Sequence, residues 1–235
     1  MHYSDGTPLL VYRGQGDHLY TASRKPTGEW GESQLTNNTS GTNRWSVDAA
    51  MTHDVLHIAY WDATWQAVRY ARKDAAGWTF ETVKNLPGAS FIAPAVAGDD
   101  EDRGYVAYGG PDGLLHYWSR TAAGTWSERT LTPPAPVTTD TDHGPVGFTI
   151  GHDRKAHFVY STGNFATRTM RYVNNGLGGA WRNSRLLDEF GNDQYGHMGV
   201  DLVRKGGPLN EKLLASWSAG FVGLLEFGCG NCEVP

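Results

Sequence analysis

The sequence lacks the features that would place the chain in a membrane, on nucleic acid or in a helical bundle. No apolar run is long enough to span a bilayer, because the most apolar stretch, residues 213–227, is short and is interrupted by Ser216 and Ser218. The net charge of −5 argues against the basic surface that phosphate backbones require, so we expect no nucleic-acid partner. Helix-forming stretches of Glu, Lys and Leu are also scarce, which excludes a mainly helical fold.

Cysteine is nearly absent: the two that occur form the motif Cys229-Gly-Asn-Cys232. Gly-Asn suits a two-residue hairpin turn, which would set the two sulfur atoms close enough for a disulfide. Free thiols and half of a zinc site are the alternatives that this spacing leaves open. A thioredoxin-type redox motif would need a helix after the first cysteine, and none is predicted there.

A targeting segment is also missing from the start of the sequence. The first dozen residues contain neither a basic start nor an apolar signal region. This is compatible with an intracellular protein or with the mature form of a secreted one, and we favour the secreted form.

Glycine is abundant, with 30 residues, and aromatic side chains recur in a fixed order along the chain. At intervals of about fifty residues, a short β-rich run closes on an aromatic residue. These residues are Tyr12, Tyr60, Tyr108, Tyr160 and Trp217. A second run with its own aromatic follows each of them, and four of the five then reach a tryptophan through a glycine turn: Trp30, Trp78, Trp126 and Trp181.

Each repeat is typical of four strands, A to D, with alternating polarity and turn residues between them. Four-stranded antiparallel sheets repeated around an axis predict an all-β fold, a single five-bladed β-propeller domain over residues 1–235. Its repeats are 1–35, 45–83, 92–131, 144–187 and 197–235. Small residues in the A strands fit a crowded inner ring, and the repeated Tyr and Trp side chains are predicted to pack between blades.

The first repeat lacks most of its A strand and the last lacks most of its D strand, so we expect these terminal stubs to close the ring. A fragment of a six- or seven-bladed parent is the alternative.

The segment His57-Ile-Ala-Tyr-Trp-Asp, followed by Arg69-Tyr-Ala and Trp78-Thr-Phe-Glu-Thr-Val, resembles a repeat of many bacterial and archaeal propeller proteins. In that family the order is His-Ile-Ser-Tyr-Tyr-Asp, Leu-Lys-Tyr-Ala and Trp-x-x-Glu-x-Val. The repeat is also loosely similar to the neuraminidase type, without its Ser-x-Asp-x-Gly-x-x-Trp box. The blade count is similar to that of tachylectin-type lectins and of five-bladed glycoside hydrolases, an analogy of fold alone.

Aromatic side chains in the loops on one face of the predicted propeller are the candidates for ligand binding. Flat rings on loops suit sugar faces or other planar ligands, and packing at the blade edges is the alternative. The predicted ligand-binding residues are Trp45, Phe91, Trp65, Phe165 and Arg44, which lies beside Trp45.

Two loops before A strands carry histidine and carboxylate together. His143 comes directly after Asp142, and His197 comes two residues after Tyr195. The two histidines occupy equivalent places in neighbouring repeats. Neutral imidazoles beside carboxylates can act as acid and base, or bind a divalent metal ion. A catalytic site of His143, His197, Tyr195 and Asp142 is therefore one hypothesis, with His143 and His197 as tentative metal ligands. Exposed loop histidines with local hydrogen bonds are the alternative.

The remaining histidines fit structural positions. His57 and His157 share one place in strand B and are predicted to be buried. His53-Asp54 and His152-Asp153 are predicted turns in which the aspartate bonds its own backbone.

Three functions are compatible with this pattern. A binding module for carbohydrate or another planar polar ligand is favoured, because no compact catalytic motif is present. A lyase or hydrolase at the same face is the second hypothesis, and a scaffold for protein partners is the third.

Overall fold

A computed structural model describes the protein's backbone at residues 1–36, 47–129, 131, 146–152, 154–162, 169–174, 182–187, 199–205, 212–218 and 222–228. Side chains are described for residues 1–36, 47–129, 131, 146–152, 154–160 and 171–174.

The strands within these ranges form five antiparallel sheets, each made of consecutive strands joined by turns. The first sheet contains β1 (Leu9–Arg13), β2 (Leu19–Arg24) and β3 (Trp30–Gln34). The second contains β4 (Val47–Thr52), β5 (Val55–Asp62), β6 (Ala67–Asp74) and β7 (Gly77–Asn85). The third contains β8 (Ala95–Gly98), β9 (Gly104–Gly109), β10 (Leu115–Arg120) and β11 (Trp126–Arg129). The fourth contains β12 (Gly147–Ile150), β13 (Ala156–Thr162), β14 (Thr169–Asn174) and β15 (Arg182–Leu187). The fifth contains β16 (Gly199–Lys205), β17 (Lys212–Ser218) and β18 (Val222–Gly228).

The chain divides into two compact units, Met1–Val106 and Ala107–Pro235. Within the first unit, β4 packs against β1 and against β8. Within the second unit, β12 packs against β16. The first described strands of consecutive sheets are therefore neighbours at these places, as expected for propeller blades.

The all-β class and the antiparallel sheets are confirmed. The first sheet has three strands, and His2 forms only an isolated bridge with Pro8 ahead of them, which agrees with the shortened first repeat. The only helical element in the described part of the chain is a single 3-10 turn, Gln15–Asp17. The number of blades and the closure of the ring stay predictions, and the last D strand lies outside the described residues.

Alternating apolar residues build a core between the first two sheets. Leu9 and Leu19 of the first sheet pack with Leu56, Ile58 and Tyr60 of the second, and each of these side chains is at most 3% exposed. The β5 residues occupy every second position, as period-2 alternation requires. Strand alternation therefore directs one face of β5 toward the first sheet.

The described aromatics of the repeats range from fully buried to exposed, and Tyr12, Tyr20, Trp78 and Trp126 are partly buried. Tyr60, Tyr108 and Tyr160 are each no more than 2% exposed, as predicted for residues between blades. Trp30 is 48% exposed, so the prediction that it packs between blades is wrong. Trp30 begins β3, the edge strand of the first sheet, and is not among the side chains that pack against the core between the first two sheets, whereas Trp78 on the edge strand β7 is.

The two histidines predicted to be structural are both buried, with no exposed surface. His57 Nδ1 lies 2.6 Å from the Tyr70 hydroxyl, and His157 Nδ1 lies 2.6 Å from the Tyr172 hydroxyl. One buried imidazole–phenol pair thus recurs at equivalent positions of the second and fourth sheets.

Two glycines allow the second and third sheets to approach closely. A Cβ atom at Gly104 would lie 2.4 Å from the Tyr70 hydroxyl, and one at Gly98 would lie 2.8 Å from His57 Nε2. Real Cβ atoms do not come this close, so the packing of Tyr70 and His57 requires glycine at both positions.

We expect Gly104→Ala to lower the free energy of unfolding by about 1–3 kcal/mol, because a rigid, buried ring must move to admit the methyl group. Urea denaturation measures the change. Gly31→Ala is the matched control, since the one close contact of its methyl group would be with the flexible Lys25 side chain, at 2.9 Å from Cε, and the Ser23 carbonyl would lie at an ordinary 3.8 Å. Equal losses in the two variants would contradict the steric explanation.

The turn between β4 and β5 differs from the prediction. His53 and Asp54 occupy the turn with positive φ angles of 42° and 66°. The Asp54 carboxylate does not bond its own backbone. It accepts hydrogen bonds from the Ser4 backbone N–H at 2.5 Å and from the Ser4 hydroxyl. Asp54 therefore links the second repeat to the first, a contact that local turn rules could not reveal.

Candidate functional site

Two predicted ligand-binding residues lie within the described part of the chain, and they differ in environment. Trp65 is 62% exposed in the loop between β5 and β6. Phe91 is only 7% exposed, in agreement with the packing alternative for this ring. The other predicted site residues lie outside the described residues: Trp45, Phe165, Arg44, His143, His197, Tyr195, Asp142, Cys229 and Cys232.

The loop that carries Trp65 is held by a buried carboxylate. Asp62 ends β5 and is 4% exposed, and its Oδ1 accepts the backbone N–H of Thr64 at 3.1 Å and of Trp65 at 3.2 Å. Gln66 follows in the left-handed region with a φ of 47°. Its backbone carbonyl and its side-chain Oε1 accept the backbone N–H groups of Leu86 and Gly88. The indole is thus presented to solvent on a loop whose backbone is anchored on both sides.

Burial raises the pKa of the Asp62 carboxyl, and this effect outweighs the hydrogen bonds from Trp65 and Thr64 and the charge of Arg69, which lower it. Burial also raises the pKa of the neighbouring Tyr60 hydroxyl to about 12, and Arg69 donates a hydrogen bond to it. Tyr60 stays neutral at ordinary pH and keeps a polar hydroxyl in this region.

A second guanidinium reaches the same region from the first sheet. Arg13 donates from Nη1 to the Asp17 carbonyl at 3.0 Å and from Nη2 to the Trp61 carbonyl at 2.5 Å. Burial lowers its pKa, whereas Asp17 and Asp62 act in the opposite direction. The Trp65 site, which we define as Arg13, Tyr60, Asp62, Trp65 and Arg69, combines one open aromatic face with acidic and basic groups.

A different polar cluster lies in the third sheet, where Asp112 belongs to the loop between β9 and β10 and His116 and Glu128 belong to β10 and β11. His116 Nδ1 lies 2.7 Å from Glu128 Oε1, and His116 Nε2 lies 3.0 Å from Asp112 Oδ1. Its ring stacks on Tyr108 with centroids 5.2 Å apart. Burial raises the pKa of the Asp112 carboxyl, but the hydrogen bonds from His116 and from the Leu114 backbone, together with the charge of His116, outweigh burial and leave the pKa below its ordinary value.

Both clusters place a planar ring beside groups that donate and accept hydrogen bonds, which is the combination that saccharide binding needs. Within the described residues, no group of three or more His, Cys, Asp or Glu side chains could hold a metal ion. The predicted metal ligands, His143 and His197, lie outside the described residues, so this finding does not test them. The described residues also include no helix long and apolar enough to cross a membrane.

Sequence reasoning placed Trp65 on an open loop but missed its polar neighbours. Arg13 and Arg69 are far apart in sequence, and both act on Tyr60 and Asp62 only because β1 and β6 belong to neighbouring sheets. The role of Asp62 could have been predicted, since an Asp that precedes the loop residues Thr64 and Trp65 is typical of an Asx turn, in which the carboxylate accepts backbone N–H groups. The carboxylate partners of His116, Asp112 and Glu128, were not predicted either.

The comparisons with known proteins concern the fold. No protein-family model and no curated protein matches the sequence. The SapL1 lectin in complex with α-methyl fucoside is similar with a TM-score of 0.63 and 12% identity, over 96% of this chain and 77% of that one. The fucose-specific lectin of Aleuria aurantia has a TM-score of 0.58 and 11% identity, over 98% and 77% of the two chains.

An intramolecular trans-sialidase from Ruminococcus gnavus, in complex with oseltamivir carboxylate, is also similar. Its TM-score is 0.56 and its identity 10%, and the match covers 99% of this chain and 61% of that one. The fold is therefore like that of propeller-type lectins and sialidase-like domains. At this identity the likeness concerns the fold alone.

Proposed function

We propose that the protein is a carbohydrate-binding β-propeller whose ligand lies on Trp65. The single observation that carries this proposal is the 62% exposed indole on a loop anchored by the buried Asp62. A large ring left in solvent contributes little to folding, whereas it offers a flat apolar surface to the face of a sugar ring. The lectins of similar fold support the same ligand class.

The polar groups of the Trp65 site supply the second half of saccharide recognition. Sugar hydroxyls both donate and accept hydrogen bonds, so they can accept from guanidinium donors, while the buried Asp62 and Tyr60 act on those guanidinium groups through charge. Arg13 and Arg69 are each partly exposed. A pyranose stacked on Trp65 would turn its hydroxyl edge toward them.

We expect Trp65→Ala to weaken saccharide binding about tenfold or more, which corresponds to ~1.4 kcal/mol, because the stacking face is lost. The melting temperature should stay nearly unchanged, since the side chain is exposed. A glycan array identifies ligands, and isothermal titration with the best of them measures the dissociation constants.

Trp30→Ala is the matched control, because it removes another exposed indole, 48% exposed on the edge strand β3. It should leave the affinity unchanged. Unchanged binding in Trp65→Ala would place the ligand elsewhere. No retention of any glycan by the parent protein would refute carbohydrate binding itself.

The architecture proposed around this site is a ring of five blades closed by the two terminal stubs. The five described sheets and their consecutive packing within each unit support it. A disulfide between Cys229 and Cys232 would fasten the last blade, and it stays a proposal. Catalysis or metal binding by His143 and His197, with Tyr195 and Asp142, also stays a proposal. No described residue bears on it.

A further inference from the structure

A cleft lies at the turn between β4 and β5, away from the loop that carries Trp65. Its volume is about 490 Å³. Two methionines, two histidines, a serine and an aspartate contribute to its walls: Met1, Met51, His2, His53, Ser4 and Asp54. We call it the Met/His cleft.

Both imidazoles of the cleft have the same ring nitrogen engaged. His2 Nδ1 lies 2.9 Å from the Tyr3 backbone carbonyl, which can only accept, so Nδ1 carries the proton. His53 Nδ1 lies 3.1 Å from Asp102 Oδ1, which favours the same tautomer. In each neutral ring Nε2 is then the nitrogen whose lone pair can bind a metal ion. A ring N–H bonded to a carbonyl or carboxylate is the usual second-shell arrangement of a histidine that binds a metal.

The oxygen atoms of the cleft are less suited to a cation. Both oxygens of Asp54 accept hydrogen bonds from Ser4, which hold the pKa of this carboxyl below its ordinary value. The Ser4 hydroxyl is the donor in one of these bonds. The groups best placed to act as ligands are therefore two imidazole nitrogens and two thioether sulfurs.

Thioethers select soft cations, and imidazole accepts the same ions. Hard cations such as Ca²⁺ and Mg²⁺ require oxygen ligands, which this set does not offer. We propose that the two thioethers and two imidazoles of the Met/His cleft bind a soft monovalent metal ion, Cu(I) or its redox-inert analogue Ag(I).

The ligands are accessible to an ion. Met1 is 45% exposed and the His53 side chain is 64% exposed. Met51 is partly buried against the core between the first two sheets, which fixes one sulfur on the wall of the cleft. The Met1 backbone is held by a hydrogen bond from the Leu9 N–H to its carbonyl at 3.0 Å, so rotation of exposed side chains is the only adjustment that an ion requires.

Competition titrations with Cu(I) and a chromogenic chelator, and with Ag(I) by calorimetry, test the proposal. They are made in a Cys229→Ser, Cys232→Ser background and on the native chain treated with iodoacetamide, so that thiolates do not bind the ion. We expect one equivalent to bind. Met51→Leu and His53→Gln should each weaken binding about tenfold or more, since each removes one of four ligands.

Matched controls exist for both changes. His152→Gln alters the corresponding histidine of the fourth repeat, and Met170→Leu alters a methionine in β14; both should bind like the parent. Met1→Leu repeats the sulfur test at an exposed position if Met51→Leu proves unstable. X-ray absorption should show sulfur and nitrogen neighbours of the ion. Equal affinity of parent, Met1→Leu and His53→Gln, or displacement of Cu(I) by equimolar Zn²⁺, would overturn the proposal.

Discussion

Replacing His57 by alanine is expected to lower the free energy of unfolding by about 3–5 kcal/mol. The imidazole has no exposed surface, and both of its nitrogens are occupied. Nδ1 lies 2.6 Å from the Tyr70 hydroxyl, and Nε2 lies 2.9 Å from Thr52 Oγ1. Alanine would leave a cavity and remove both hydrogen bonds from groups that water cannot readily reach.

Urea denaturation of the parent and of His57→Ala measures this loss. A double-mutant cycle with Tyr70→Phe isolates the hydrogen bond, and we expect a coupling energy of roughly 0.5–3 kcal/mol. His157→Ala should behave similarly, because its ring makes the same 2.6 Å contact with Tyr172. His2→Ala, at an exposed position, should change stability by less than about 0.5 kcal/mol. A loss of that small size in His57→Ala would show that the buried pair is not a determinant of stability.

Much of the fold could be predicted from the sequence because the repeats encode strands locally. The alternation in HIAYWD, residues 57–62, fixes which side chains of β5 enter the core. The shared position of His57 and His157 predicted burial correctly, since a polar residue at a core position of two repeats implies a partner inside the protein. The prediction that Trp30 packs between blades was wrong because it rested on the local pattern alone. The sequence context of Trp30 matches that of Trp78, but exposure depends on long-range packing, and only Trp78 packs against the core between the first two sheets.

The candidate site was less predictable, because its groups come from different repeats. Trp65 could be found from its loop alone. The contact of Arg13 with the Trp61 carbonyl depends on how β1 and β5 pack, which no local pattern records. The bond between Ser4 and Asp54 is a similar case, joining residues 50 positions apart. Long-range polar contacts of this kind set the chemistry of a surface and leave little trace in the spacing of residues.

The second large effect is expected at Asp99, whose carboxylate is the most heavily bonded buried anion among the described residues. Its side chain is 1% exposed. Oδ2 accepts from Arg103 Nε at 2.7 Å and from the Tyr105 hydroxyl at 2.8 Å. Oδ1 accepts the backbone N–H groups of Glu101 and Arg103 at 2.9 Å and 3.0 Å. The carboxylate thus holds the turn between β8 and β9 together.

Asp99→Ala should therefore lower the free energy of unfolding by about 3–5 kcal/mol at neutral pH, because several buried donors lose their acceptor and Arg103 loses its buried partner. Glu101→Gln is the matched control. Glu101 also pairs with Arg103, at 3.3 Å, but it is 48% exposed, and exposed ion pairs contribute at most about 1 kcal/mol. Similar losses in the two variants would show that the charge of Arg103, and not the buried carboxylate, is what matters.

The effect of Asp99 should also depend on pH in a defined direction. Burial raises the pKa of this carboxyl, but the hydrogen bonds from Arg103 and Tyr105 outweigh burial and leave it below the ordinary value of 3.8. A pKa that is lower in the folded state means that the unfolded chain binds the proton more tightly. The stabilisation is then complete above the unfolded value and is lost as the pH falls through the folded one. Urea denaturation of the parent and of Asp99→Asn, a variant that cannot ionise, should show their difference shrinking as the pH is lowered from about 7 to about 2. A difference that stays constant over this range would mean that ionisation of Asp99 does not contribute to stability.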